Sequence, residues 1–320
     1  MVNKQNKKYD IVGIGNAIVD LIAEVDDSYL KKNNINKGSM SLVEYDVIHK
    51  MGSEVNIIKT ISGGSVANSI VCIAQQNLRT AFIGKVNEDE LGIIFAEGLL
   101  KDNVDFKITK SSIDKKTARC LILVSPDGER TMNTYLGISQ ELVEHDIDMK
   151  IIEESSILYL EGYLWDLDNA KKAIHQSILT AKNSATLVAF SISDAFCVDR
   201  FREEFVELIN NPADLIFANE SEIKSLFETS ELDVAIKKCQ ETNKIFAITL
   251  GEKGAKILHR EEIVYIKAEI IDKLVDTTGA GDLFAAGFLA EFVRTQNLES
   301  SGKHGVKMAS IIIQKFGARI

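Results

Sequence analysis

Between Val104 and Leu136 polar and apolar residues alternate, in DFKITKSSIDKKTARCLILVSPDGERTMNTYLG, with a turn at Ser125-Pro126-Asp127-Gly128. A period of two puts successive side chains on opposite faces of a strand, so the stretch predicts hairpins. From residue 157 the pattern changes to short apolar runs, at 157–160, 186–190, 215–218 and 245–250, separated by helix-like segments. That is how strands of a parallel sheet read when helices cover both faces. Earlier apolar runs predict strands at 9–15, 19–25, 57–62 and 80–86, with a short helix at 44–51. From Leu283 apolar residues cover most of the helical circumference, as in a helix buried against other elements. Residues 308–318 (MASIIIQKFGA) read as a second buried helix ending in Gly317. The fold class is α/β, a three-layer core around a mostly parallel sheet with a small β-sheet appendage. Residues 1–320 form one domain, its appendage drawn from about 16–45 and 104–136, including the turn Asn36-Lys37-Gly38, and its core from the remainder.

Composition narrows the class without changing this picture. The chain is 45% hydrophobic and 26% charged, the balance of an ordinary soluble globular protein, and its two prolines (Pro126, Pro212) mark no linker. A net charge of −10 argues against a general nucleic-acid or anionic-membrane surface. Cys72, Cys120, Cys197 and Cys239 are scattered, as buried reduced thiols are. The polar start MVNKQNKKYD lacks the apolar core of a signal peptide, and no segment approaches the ~18 apolar residues of a membrane span. A cytoplasmic protein is expected.

The chemistry concentrates in LVDTTGAGDLFAAGFLAEFVR, residues 274–294. Gly279, Ala280 and Gly281 have almost no side chain, so another molecule can approach their N–H groups. They open a buried helix, whose N-terminus favours negative charge. Asp282 beside them is either a first-turn helix acid or a general base facing an anion. Gly13-Ile14-Gly15 follows the first strand but lacks the third glycine of a dinucleotide fingerprint, and Asp20 is a turn residue or a ligand. The strand end running into Gly63-Gly64-Ser65-Val66-Ala67-Asn68 reads as a tight strand-to-helix turn capped by Ser65, or as a backbone that a substrate approaches. Asn219-Glu220-Ser221-Glu222 is a good helix N-cap, and Thr249 to Gly254 a hairpin turn. These motifs all follow strands, at the sheet edge where α/β proteins bind ligands.

These residues resemble the ribokinase-like (phosphofructokinase-B) family of carbohydrate and nucleoside kinases. The likeness spans nearly the whole chain and rests on Asp-Thr-x-Gly-Ala-Gly-Asp at 276–282 and Gly-Gly-x-x-x-Asn at 63–68. It implies Asp282 as catalytic base, with Gly279, Ala280 and Gly281 as anion hole. It implies acceptor contacts from Asn16, Asp20, Gly63, Gly64 and Asn68, a carboxylate such as Asp20 being able to accept two hydrogen bonds from a vicinal diol. Asn219, Glu222, Thr249, Gly251, Gly254 and Thr278 fall on the ATP side, with Glu222 acting on Mg2+ through water. Residues 308–318 would border the adenine, and Gly84, Asp89 and Gly92 would be structural. The hairpin region would be a lid, in which Arg119 and Arg130 are solvated strand-face charges or, for Arg130, part of the active-site face. A monovalent cation near Asp276 and the choice between monomer and homodimer stay open.

Within the family the closest resemblance is to its adenosine kinases, through GIGNAIVDLIAEVDD, GGSVANSI, DLIFANESE and ASIII. Glu161 departs from that pattern, standing where a small apolar residue is expected, and ERTMNTYLG looks more like bacterial sugar kinases. The implied activity is ATP-dependent phosphorylation of a primary hydroxyl, adenosine to AMP, with ribose or another free sugar as runner-up. The chain has no Gly-x-x-x-x-Gly-Lys-Ser/Thr, which excludes a P-loop kinase.

Overall fold

The computed structural model describes residues 7–109 and 111–320, so part of the polar start and one position of the alternating stretch lie outside it. The chain runs through β1 (Tyr9–Ile14), β2 (Ile18–Glu24), α1 (Asp27–Lys32), β3 (Met40–Leu42), α2 (Tyr45–Glu54), β4 (Ile57–Gly63), α3 (Ser65–Ala74), β5 (Thr80–Ile83), α4 (Glu90–Lys101) and β6 (Val104–Asp105). The hairpin β7 (Ala118–Val124) and β8 (Arg130–Tyr135) comes next, then α5 (Met149–Glu153). Strands and helices then alternate through β9 (Ser155–Glu161), α6 (Asp168–Asn183), β10 (Leu187–Ser191), α7 (Ala195–Asn210) and β11 (Leu215–Asn219). After α8 (Glu220–Leu226) and α9 (Leu232–Glu241) come β12 (Ile245–Thr249), β13 (Ala255–His259), β14 (Glu262–Ile266), α10 (Ala280–Thr295) and α11 (Leu298–Ile312).

Nine strands form the large sheet in the order β14-β13-β12-β11-β10-β9-β1-β5-β6, parallel except for the antiparallel β13 and β14. Both faces are covered, as the continuous apolar runs require. In β9, Ile157 and Tyr159 pack into a core with α3, α4, α10 and α11, while Leu158 and Leu160 pack into a second core with α6 to α9 on the other face. The strands' carboxyl ends share one edge, and the site lies there.

The small sheet has the order β3-β8-β7-β2-β4 and differs from the expectation at its margins. Its fifth strand is β4, expected in the core, which pairs antiparallel with β2. Residues 104–105, expected in the appendage, instead pair with β5 at the edge of the large sheet. A period of two shows that a segment is a strand but not which sheet accepts it. Leu121 and Leu123 are fully buried with Ala23, Leu30, Ile48 and Met51 beneath α1 and α2. The appendage therefore has a hydrophobic cluster of its own, and its cleft face carries Ile18, Cys120, Ile122 and Met132.

A further correction concerns the helix expected at 308–318. The observed helix begins ten residues earlier, capped by Asn297, whose side chain accepts from Ser300 N at 2.8 Å, and ends at Ile312. Gly302 and Gly305 break the apolar signal, but a Cβ there would press into Ile257 and Ile266 or into Phe284, so these glycines let α11 seat closely. Beyond Ile312 the chain turns back, with Gly317 at φ +94°. Among the described residues no helix is long and apolar enough to cross a membrane.

Candidate active site

A cleft of about 540 Å³ opens where the carboxyl ends of β10, β11 and β12 meet the small sheet and the start of α10. A larger depression at Gln240 and His259 to Glu262 lies at the opposite ends of the strands and gathers none of the motif residues.

Gly279 is the N-cap of α10, and its φ of +77° is the left-handed conformation that glycine tolerates. A side chain there would also collide with Ala318. Above Gly281 nothing lies within 4 Å, so its backbone is open to the cleft. The N–H groups of Gly281 and Asp282 have no partner among the described residues, as expected in the first turn of a helix.

Asp282 sits one residue further on, its carboxylate held from α3. Ser65 Oγ donates to Oδ1 at 2.6 Å and Asn68 Nδ2 to Oδ2 at 3.1 Å, while Ser69 Oγ donates to the Asp282 carbonyl at 2.9 Å. Burial pushes the carboxyl up to about 6, partly offset by the Ser65 and Asn68 bonds and the Arg319 charge. The Ser65 hydroxyl is thus not a cap: Gly64, at φ +96°, holds the N-cap position.

Asp20 reaches the cleft from β2 and packs against Gly63, where a Cβ would meet its carboxylate. Burial raises its pKa to about 7 against the pull of Arg319 and Arg130. Asn68, Gly64, Thr278, Thr249 and Gly251 also line the cleft. At the β11 end, Asn219 and Glu222 form a reciprocal cap. Asn219 Oδ1 accepts from Glu222 N at 2.9 Å, and the Glu222 carboxylate accepts from Asn219 N at 2.9 Å and Nδ2 at 2.6 Å. Glu222 lines the cleft, and burial lifts its carboxyl to about 7.

Four of the expected residues stand off the cleft wall. Asn16 is buried, its N and Nδ2 donating to Glu161 Oε1 at 2.8 and 3.0 Å and its Oδ1 accepting from Ser139 Oγ at 2.9 Å. Gly63 lies behind Asp20, and Gly254, at φ +98°, makes the hairpin turn, where a side chain would collide with Ile266 O. Arg130 forms an ion pair with Asp276 at 2.9 Å, with both side chains buried at 8% and 6% exposure, and reaches Thr278 Oγ1 at 3.4 Å. Asp276 also accepts from Thr278 N at 3.0 Å and Gly317 N at 2.9 Å, so its cationic partner is Arg130. Arg119 stacks over Tyr45, away from the cleft.

Glu161 is buried at the end of β9. Besides Asn16, it accepts from Val66 N at 2.9 Å, which ties the end of β9 to the first turn of α3. Two residues escaped the sequence reading: Ser65 as a partner of Asp282, and Arg319, whose Nε donates to Asn68 Oδ1 at 3.1 Å. The Gly63 to Asn68 motif offers Ser65 only as a cap, and Arg319 carries no periodic or motif signal of its own.

The sequence pattern of the pfkB family of carbohydrate kinases matches residues 10–320. In structure the chain resembles adenosine kinase from Sinorhizobium meliloti (40% identity, TM-score 0.91, covering 98% of this chain and 96% of that one). It resembles a probable sugar kinase from Rhizobium etli CFN 42 equally well (38% identity, TM-score 0.91, 98% and 95% covered). In sequence it is 25% identical to adenosine kinase 2 of Arabidopsis thaliana over 99% of this chain and 97% of that protein.

Proposed function

Since the chain belongs to the pfkB family of carbohydrate kinases, ATP-dependent phosphotransferases that act on a hydroxyl group, we propose that it phosphorylates the primary hydroxyl of adenosine to give AMP. The observation that carries this reading is a half-buried carboxylate, Asp282, held by Ser65 and Asn68 beside an open helix N-terminus.

Asp282 takes the acceptor's hydroxyl proton as the oxygen attacks the γ-phosphorus of ATP; the bond to the β-phosphate oxygen breaks and ADP leaves. The N–H groups of Gly281 and Asp282, with Gly279 and Ala280 shaping the turn, face the negative charge of the transferring group. Asp20 and Asn68 bind the sugar hydroxyls, with Gly64 below them. Thr249, Gly251 and Thr278 line the ATP side. The donor set fits Mg2+ carried mainly by the ATP phosphates: Glu222 offers one carboxylate whose remaining lone pairs would hold the ion through water, with Asn219 fixing its orientation. When bound, that ion would neutralise charge on the phosphates. Arg130 supplies the counter-charge of Asp276, next to the turn.

An apolar wall of Ile18, Ile122 and Met132 beside Asp20 suits a nucleoside better than a free sugar, since it offers a planar base a desolvated surface. A free-sugar kinase is the second reading, favoured by the similarity to the Rhizobium etli protein. ADP release with adenosine, ribose, fructose and fructose 6-phosphate separates them. The highest kcat/KM is expected with adenosine, and a preference for ribose or fructose would overturn that choice.

A further inference from the structure

Arg319 lies outside every motif read from the sequence, yet its guanidinium reaches the acceptor floor. The segment after α11 brings it there. Gly317 N–H donates to Asp276 at 2.9 Å, Ala318 packs under Gly279, and Arg319 then donates through Nε to Asn68 Oδ1 at 3.1 Å and through Nη1 to Ser62 Oγ. The absence of a side chain at Gly98 on α4 makes room for the pair, since a Cβ there would collide with the Ser62 hydroxyl.

An amide has an acceptor end and a donor end, and Asn68 uses both. Its Oδ1 faces Arg319 and its Nδ2 faces Asp282 Oδ2 at 3.1 Å. Flipped, it would set its NH2 against a guanidinium and its carbonyl against a carboxylate, two repulsive contacts in place of two charge-assisted bonds. We propose that Arg319 is a positioning residue, which fixes the Asn68 amide and through it the orientation of the Asp282 carboxylate for proton abstraction. The proposal rests on Asp282 being the base.

The charged and titratable groups around Asp282 come from several elements: Asp20 on β2, Arg130 on β8, Tyr159 and Glu161 on β9, Tyr163 after it, and Arg319. Arg319 is the cation that acts on Asp282 directly, favouring the ionised carboxylate, and burial in turn lowers its own pKa to about 10. Its two contributions are separable, because lysine keeps the charge but cannot hold Asn68 and Ser62 together through a planar fork.

The test compares wild type with Arg319→Gln and Arg319→Lys, measuring kcat, KM for each substrate and the pH profile, with thermal melting as the check on folding. Displacing a reacting group by about 1 Å can cost about 100-fold in rate, so kcat should fall by 10- to 100-fold in both variants with KM for ATP little changed. In Arg319→Gln the acidic limb of the profile should also move to higher pH, while in Arg319→Lys it should stay near wild type. A folded Arg319→Gln with wild-type kcat, or one whose kcat falls with the limb unmoved, overturns the proposal. If Arg319→Gln does not fold, Arg319→Lys and Gly98→Ala decide. Gly98→Ala should lower kcat several-fold by displacing Ser62 from the guanidinium, and unchanged kcat in both overturns it. Wild type that transfers phosphate to no alcohol overturns the base reading together with this one, whereas active wild type with unaltered variants overturns positioning alone.

Discussion

Ser65 and Asp282 stand 217 residues apart in sequence and meet in a 2.6 Å hydrogen bond, the hydroxyl at the start of one helix donating to the carboxylate in the first turn of another. Replacing Asp282 with asparagine keeps the size and removes the carboxylate proposed as the base. Turnover should fall by about 100-fold or more with the fold and ATP affinity retained, as measured by steady-state kinetics and ATP titration. Near-normal turnover in the folded variant refutes Asp282 as base.

The same carboxylate sets a pH dependence. A base works only when ionised, and burial raises Asp282 to about 6, so kcat at saturating substrate should decline as pH falls below about 6. The Ser65 bond stabilises the ionised form. Ser65→Ala should therefore shift that limb to higher pH, and a shift to lower pH would reverse the assignment.

At the acceptor end, Asp20→Ala removes the carboxylate beside the double glycine. The acceptor's KM should rise by about tenfold or more, the cost of one lost charged hydrogen bond, with ATP's KM little changed. Should ATP's KM rise instead, the two ends of the cleft have been exchanged.

How legible these positions were depended on how local their signal is. The contiguous Asp282 and glycine turn leave a helix acid and a base both open until the family resemblance is added, whereas the capping pair Asn219 and Glu222 is three residues apart and could be read from spacing. Arg319 could not: a lone charge after a broken helix has no period, and only the fold brings it to Asn68. Alternation puts Leu121 and Leu123 on one face of a strand but cannot say what covers that face, and the cover is two short helices far upstream. Asn16 shows the reverse limit, a motif residue whose amide is taken up by Glu161 and Ser139 below the cleft.

Glu161 accepts three N–H bonds with 1% exposure. In Glu161→Gln one acceptor oxygen becomes an NH2 facing an N–H donor. Stability should drop by about 1–3 kcal/mol, the penalty for an unsatisfied buried donor, in a denaturant titration. An unchanged midpoint would mean that the β9 end and α3 are held elsewhere.

The small sheet, with its own cluster under α1 and α2, is expected to close over the acceptor as a unit. Amides in Thr117 to Tyr135 should gain protection from hydrogen exchange when the acceptor is added. Equal protection with and without it identifies fixed structure.

The 217-residue separation of Ser65 and Asp282 also matters before the protein is finished. At synthesis rates of about 5–20 residues per second, the apolar helix α3 emerges roughly 10–40 s ahead of the helix that covers it. During that interval Val66 to Ile73, a run of buried residues in the finished molecule, has no α10 to pack against. An apolar surface that α10 covers in the finished molecule is thus exposed on the nascent chain throughout that interval.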